Sequence, residues 1–231
     1  MCPDNDNPVA ATSCAGRSAM LRDIEDEISY TRHEIGRDAF DPRVMAAMAR
    51  VPRELFVPES RRLYAYANGP VPIGHGQTIS QPYIVALMTD LLAPRPDSVI
   101  LEIGTGSGYQ AAVLAEIVRQ VYGIEIIAAL AEAASVRLAE LGYANVVVRN
   151  CDGYHGWAEH APYDGIVVTA AAPHIPQPLI EQLKPGGRLV IPVGLPGCVQ
   201  QLMVVDKQAD GSCASRNILM VAFVPLTGAL R

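Results

Sequence analysis

Glu102, Gly104, Gly106 and Gly108 stand in the run Leu101-Glu102-Ile103-Gly104-Thr105-Gly106-Ser107-Gly108-Tyr109. An acid followed by glycines at every second position describes a ligand-binding turn. The glycines let the backbone approach a bound group where a Cβ would collide, and a helix start behind them offers unpaired N–H groups. Tyr109 occupies the place of the last glycine in the Gly-x-Gly-x-x-Gly of dinucleotide binders, so the spacing opposes a nicotinamide oxidoreductase. No Lys-Ser/Thr pair follows, which excludes a P-loop. Glu102 sets a carboxylate beside the ligand, wrong for a phosphate and right for a cation such as an ammonium. A second acid, Glu125, lies 21 positions beyond Gly104, near the separation at which α/β binders place a carboxylate on ribose hydroxyls. An ionised carboxylate accepts two such hydrogen bonds. Asp152 follows the next apolar run, where it would meet an adenine edge.

Upstream, Gly74-His75-Gly76-Gln77-Thr78-Ile79-Ser80-Gln81-Pro82 mixes turn residues with hydrogen-bonding side chains. Such a loop closes over a ligand with its glycines as hinges. Ser80 reads as the N-cap of the helix behind it, either capping alone or capping and facing a substrate. His75 reads as shaping the loop, and Cys151 as packing.

These residues need an α/β scaffold to bring them together. Val99–Ile103 reads as a strand, with a helix over 111–118 behind the glycines. Strands follow at Gln120–Glu125, Asn145–Val148 and Asp164–Ala170, the last apolar on both faces as in a buried parallel sheet. Ile127–Leu141 is a helix ended by Gly142. Pro176–Leu183 is another, followed by a turn at Lys184-Pro185-Gly186-Gly187. Ala170-Ala171-Ala172 leaves room for a ligand. The last strands, Leu189–Val193, Leu202–Val205 and Ile218–Val224, lack helices between them and are expected to pair as hairpins. The fold class is therefore α/β: a Rossmann-like, seven-stranded, mostly parallel sheet with an N-terminal helical cap. In the cap, Met20, Leu21, Ile24 and Ile28 fall at helical spacing, and Asp41-Pro42 opens a second helix to Ala49. The prolines in Val51–Pro58 forbid one regular element there. Residues 1–18 read as a tail and 19–231 as one domain, with cap and substrate loop over 19–80 and the α/β core over 81–231.

Composition narrows the function classes. Half of the 231 residues are hydrophobic and 18% are charged, which is globular. The net charge of −6 opposes binding nucleic acid through its backbone. No apolar run reaches the roughly 20 residues of a membrane span, and residues 1–18 lack the basic and apolar regions of a secretory signal. Five cysteines, an odd number without a Cys-x-x-Cys, argue against a disulfide framework or zinc site and for the cytoplasm. A monomer is the default expectation.

The acid-and-glycine motif resembles the first motif of S-adenosylmethionine-dependent methyltransferases. Further segments resemble one family, the protein-L-isoaspartate (D-aspartate) O-methyltransferases. They are Val51-Pro52-Arg53-Glu54-x-Phe56-Val57, Pro72-Ile73-Gly74-x-Gly76-Gln77-Thr78-Ile79-Ser80-Gln81-Pro82, Asp152-Gly153-x-x-Gly156-Trp157, Gln182 to Leu189, and Phe223-Val224-Pro225-Leu226-Thr227. The likeness covers about residues 45–228. It implies S-adenosyl-L-methionine as cofactor and isoaspartyl-containing proteins and peptides as substrates, with neither nucleic acid nor membrane as partner. By position it implies Ser80 as the active-site serine near the substrate carboxylate, and Gln77, Thr78 and Ile79 as the loop around cofactor and substrate. Gly104, Gly106 and Gly108 match the cofactor turn, Glu125 the ribose acid, Asp152 and Gly153 the adenine side, and Thr227 a position near the cofactor. Two positions depart: Ile126 stands where relatives often have Arg or His, and Ala222 where bacterial relatives often carry Arg. Two other functions are compatible: methylation of a normal Asp in a dedicated peptide, and cofactor binding without catalysis.

Overall fold

The computed structural model describes residues 8–195 and 197–228. Its centre is a seven-stranded sheet in the order β5-β4-β3-β6-β7-β8-β9. The strands are β3 (Val99–Ile103), β4 (Gln120–Glu125), β5 (Val146–Asn150), β6 (Tyr163–Val168), β7 (Leu183–Val193), β8 (Gln200–Lys207) and β9 (Cys213–Val221). Pairing is parallel from β5 across to β7 and antiparallel for β8 and β9. The hairpins expected at that edge are present because no helical segment separates those runs. The turn expected at 184–187 is instead a bulge inside β7, whose register against β6 shifts there.

Helices cover both faces. α4 (Tyr109–Ala115) and α5 (Ala128–Glu140) are the crossovers from β3 to β4 and from β4 to β5. α6 (Gln177–Glu181) lies between β6 and β7. The alternation of β3 sends Ile100 into one apolar cluster and Leu101 and Ile103 into the other, which puts Glu102 on the Ile100 face. Consecutive strands run outward in opposite directions from β3 and β6. Their carboxyl ends therefore meet at the switch point where open α/β sheets bind ligands.

The cap comprises α1 (Pro8–Ile35), α2 (Pro42–Arg50) and two 3₁₀ turns at Arg53–Phe56 and Glu59–Tyr64. It packs on α3 (Pro82–Leu92), and Met20, Ile24 and Ile28 share one apolar cluster with α3, α4 and β3. Asp41 caps α2 as expected, accepting the Arg43 N–H at 2.8 Å. Residues 8–18, read as tail from their composition, belong to α1 instead; residues 1–7 lie outside the described residues. The helix is secured there by long-range polar contacts: Arg17 donates to Ala49 O at 3.2 Å, and Ser13 and Tyr66 both donate to the Glu54 carboxylate. The cysteine expectation is also corrected at one position, since Cys14 is disulfide-bonded.

The loop ahead of α3 is a small hairpin, β1 (Val71–Gly74) against β2 (Gln77–Ile79). Its two-residue tip, His75-Gly76, has positive φ at both positions, as primed hairpin turns require. Ser80 is not the cap of α3. Gln81 holds that place, without a side-chain bond, and Pro82 takes the first helical position.

α3 ends on Ala93, exposed and left-handed at φ 50°, a conformation that costs a residue with a Cβ about 1–2 kcal/mol. Ala93→Gly is expected to raise stability by about 1 kcal/mol, or roughly 2–4 °C in Tm. An unchanged or lower melting temperature in a thermal scan would contradict this.

Candidate active site

The carboxyl ends of β3, β4 and β6 form the floor of a cleft, and the β1–β2 hairpin with Ser80 stands over it. The cleft spans about 750 Å³, open solvent at its mouth included. Gln77, Thr78, Ile79, Ser80, Glu102, Gly104, Gly106, Glu125, Gly153 and Thr227 all line it. Gly108 and Asp152 do not. Gly108 begins α4 with φ +88° and packs against Leu138 of α5. Asp152 caps the short turn at 153–155 through the Tyr154 N–H at 2.9 Å and lies against Gly228. Of the two departures, Ile126 lines the cleft and Ala222 does not.

Gly104 has φ +88°, and a Cβ on it would sit 2.7 Å from the Thr169 hydroxyl. That hydroxyl donates to Gly104 O at 2.6 Å, so β6 clamps the glycine turn from beside it. From the other side, Arg137 of α5 donates to Ser107 O at 2.9 Å. The hairpin leans on the same turn through Ile73, whose Cδ1 lies 3.5 Å from where a Gly106 Cβ would be. Ala170 faces the cleft as its small side chain suggested. Ala171 acts through its backbone instead. Its N–H donates to Val224 O, and its carbonyl accepts the Leu226 N–H, both at 2.8 Å. This bridge brings Val224–Thr227 to the cleft.

The two acids differ in their surroundings. Glu125 accepts the Gly106 N–H at 2.8 Å and the Ile127 N–H at 2.9 Å, which leaves lone pairs on both oxygens. Glu102 is 0% exposed, and neither of its oxygens has a hydrogen-bond partner. Burial pushes its carboxyl up to about 8, and the nearby Glu125 adds to this; the Thr105 hydroxyl and the Ala111 N–H pull the other way without reaching bonding geometry. Buried orphan oxygens are costly to keep, and Glu102 lines the cleft. They fit the cation that the sequence suggested. Among the described residues, the lining includes no Lys, Arg or His. Burial also pushes the Tyr109 phenol up to about 12, with Arg53 opposing.

Three positioning side chains were not singled out by their spacing: Thr169, Arg137 and Arg53. Arg53 is 0% exposed. Its Nε donates to Ala65 O and its Nη2 to Ser80 O, each at 2.6 Å. Its guanidinium carbon lies 4.7 Å from the Tyr109 ring centroid. For Arg53 the sequence signal was its place in the proline-bounded, family-like segment Val51-Pro52-Arg53-Glu54-x-Phe56-Val57.

A family model described as Protein-L-isoaspartate(D-aspartate) O-methyltransferase (PCMT) matches residues 32–231. The chain is 66% identical to "Protein-L-isoaspartate O-methyltransferase 2" of Syntrophobacter fumaroxidans, over 93% of this chain and 87% of that protein. It is 62% identical to the protein of the same description from a Polaromonas species, over 90% and 99%. A solved protein-L-isoaspartate O-methyltransferase superposes with a TM-score of 0.79 at 28% identity, covering 92% of this chain and 66% of that one. So the chain spans about two thirds of that structure's length. A Plasmodium falciparum structure, described as a putative protein-L-isoaspartate O-methyltransferase in complex with S-adenosyl-L-homocysteine, superposes with a TM-score of 0.71 at 25% identity, over 89% and 97%.

The raised carboxyl of Glu102 has a sign that can be measured. Its value is about 8 in the folded protein against an ordinary 4.5, so the ligand-free protein loses stability as pH climbs from the lower value through the upper one. Glu102→Gln escapes that loss. Its Tm relative to wild type is expected to rise by several degrees between about pH 5 and 8 and then level off. Parallel profiles for the two proteins would refute the buried acid.

Proposed function

The chain belongs to the protein-L-isoaspartate(D-aspartate) O-methyltransferase family, and from that premise we propose how its cleft works. The reaction is methyl transfer from S-adenosylmethionine to the free carboxylate of damaged residues in proteins, the α-carboxylate of L-isoaspartyl and the side-chain carboxylate of D-aspartyl residues, which initiates their repair. The observation that carries the reading is one cleft walled by an acid-and-glycine turn on one side and by a hairpin ending in Ser80 on the other.

The residues present fit the cofactor. Glu102, with two unpartnered buried oxygens, would hold its ammonium group. Glu125, anchored by two N–H groups, would take the ribose hydroxyls. Gly104 and Gly106 would allow close approach, while Gly108 would serve by turning the chain into α4. Gly153 would face the adenine, supported by the cap that Asp152 places on the 153–155 turn. Gln77, Thr78, Ile79 and Thr227 would close the rim. When bound, S-adenosylmethionine supplies a methyl group on a sulfonium, and transfer forms the oxygen–carbon bond as the carbon–sulfur bond breaks.

A substrate carboxylate is already ionised at neutral pH, so the chain need only orient it and exclude water. The absence of Lys, Arg and His from the lining suits that role. An ion pair would stabilise the carboxylate before reaction more than during it, as its charge is lost in the transition state. The Ser80 hydroxyl, with Gln77 and Thr78 beside it, would instead orient the oxygen by neutral hydrogen bonds. The methyl ester formed this way cyclises to a succinimide, whose hydrolysis returns some normal aspartate.

No helix among the described residues is long and apolar enough to cross a membrane. The net charge of −6 supports action on proteins rather than nucleic acid. A monomer suffices, since one chain supplies every lining residue.

Methyl transfer from labelled cofactor to two peptides that differ only in an Asp or isoAsp linkage tests the reaction. Base-labile label is expected on the isoAsp peptide alone; label on the Asp peptide would point to a dedicated maturation substrate, and label on neither to a binding protein. Ser80→Ala should slow turnover by about tenfold or more while cofactor affinity stays nearly constant in calorimetry. Equal losses in both would remove Ser80 from its role. Glu125→Ala should do the opposite, weakening cofactor binding by roughly tenfold and lowering Tm, because two backbone N–H groups lose their acceptor.

A further inference from the structure

The buried guanidinium of Arg53 joins three segments that meet at the cleft. Nε holds Ala65 O, where the second 3₁₀ turn of the cap ends, and Nη2 holds Ser80 O. The cation lies over the face of Tyr109, the first residue of α4 behind the glycine turn and itself part of the cleft wall. No carboxylate pairs with Arg53 among the described residues, and Nη1 has no hydrogen-bond partner. Burying an unpaired cation is expensive. An apolar side chain of the same length would fill this space at lower cost, so packing alone does not account for an arginine here.

Its geometry does. Ser80 lies between β2 and α3, one residue ahead of the Gln81 N-cap. Among the described side chains only Arg53 holds its carbonyl, and a fixed peptide unit fixes the direction in which the Ser80 Cβ leaves the backbone. The fork of a guanidinium reaches two carbonyls and still stacks on a ring, which an ammonium cannot do.

We propose that Arg53 is the positioning residue of the active-site serine: it locks the Ser80 peptide unit to the cap and to the cofactor turn, so that the hydroxyl is aimed before substrate arrives. Arg53 does not line the cleft and touches neither ligand; it acts through Ser80. The inference rests on the role given to Ser80 in the methyl-transfer reading.

Arg53→Lys and Arg53→Met test it, alone and combined with Ser80→Ala, on the full chain. Both single variants should lower kcat for the isoAsp peptide by about tenfold, with Lys the milder, and leave the cofactor Kd within about twofold in calorimetry. In the Ser80→Ala background the same substitutions should have little further effect, because residues that act as one unit are not additive. Amide exchange over residues 77–81 should quicken in Arg53→Lys at unchanged Tm. Wild-type kcat in a folded Arg53→Lys, additive losses in the double variants, or unchanged exchange would each overturn the proposal. If Arg53→Met does not fold, the lysine variant decides. If wild type transfers no methyl to the peptide, the functional reading fails, and the exchange comparison still decides whether Arg53 holds Ser80.

Discussion

Glu102 and Glu125 close adjacent parallel strands, and parallel pairing leaves their carboxylates no choice but to share one edge of the sheet. The sheet resolves this proximity by treating them differently. Glu125 is given two backbone donors, which also tie the glycine turn to β4. Glu102 is buried without any, and burial raises its carboxyl far enough to relieve the repulsion. Much of the surrounding architecture follows. The turn between β3 and α4 must pass close to both acids, Thr169 and Arg137 hold it there from opposite sides, and the polar cost falls where a ligand is to bind. A chain under selection for stability alone would not keep such a group.

The cap completes what the sheet leaves open. A doubly wound sheet offers a crevice at its switch point but no roof. Here α1, α2 and the 3₁₀ turns share an apolar cluster with α3 and α4, and that common packing carries the β1–β2 hairpin to the crevice. The C-terminal segment closes the opposite rim by pairing with the chain after β6.

What the sequence revealed depended on how local its cause was. Gln120–Glu125 was legible to the residue because an apolar run ends at an acid, and Asp41-Pro42 because a cap and a helical φ are properties of two neighbours. The meeting of Glu102 and Glu125 was legible because strand–turn–helix order fixes which strand ends meet, whereas Ser80 was placed beside them only by the family resemblance. The hairpin read only as a loop, since Gly74-His75-Gly76 signals a turn but the three-residue β2 is too short to show alternation. Ser80 read as a cap because Pro82 was discounted: a proline favours the first helical position, which moves the cap to Gln81. Residues 8–18 read as tail because their anchors, Glu54, Tyr66 and Ala49, lie more than 30 positions away. Arg53 and Arg137 were silent for the same reason; each acts on a carbonyl, which has no letter in a sequence.

A binding wall without a cation sets how this protein meets ions in its surroundings. The chain is acidic, with a net charge of −6, so it repels an acidic peptide at a distance, over about 8–10 Å at ordinary ionic strength. Among the described residues the cleft lining offers hydroxyl and amide groups rather than a lysine or arginine, and hydrogen bonds to such groups owe little to long-range fields. Dissolved salt therefore weakens the repulsion and spares the attraction. A cleft built on arginine would lose hold of carboxylates in brine; this one would not.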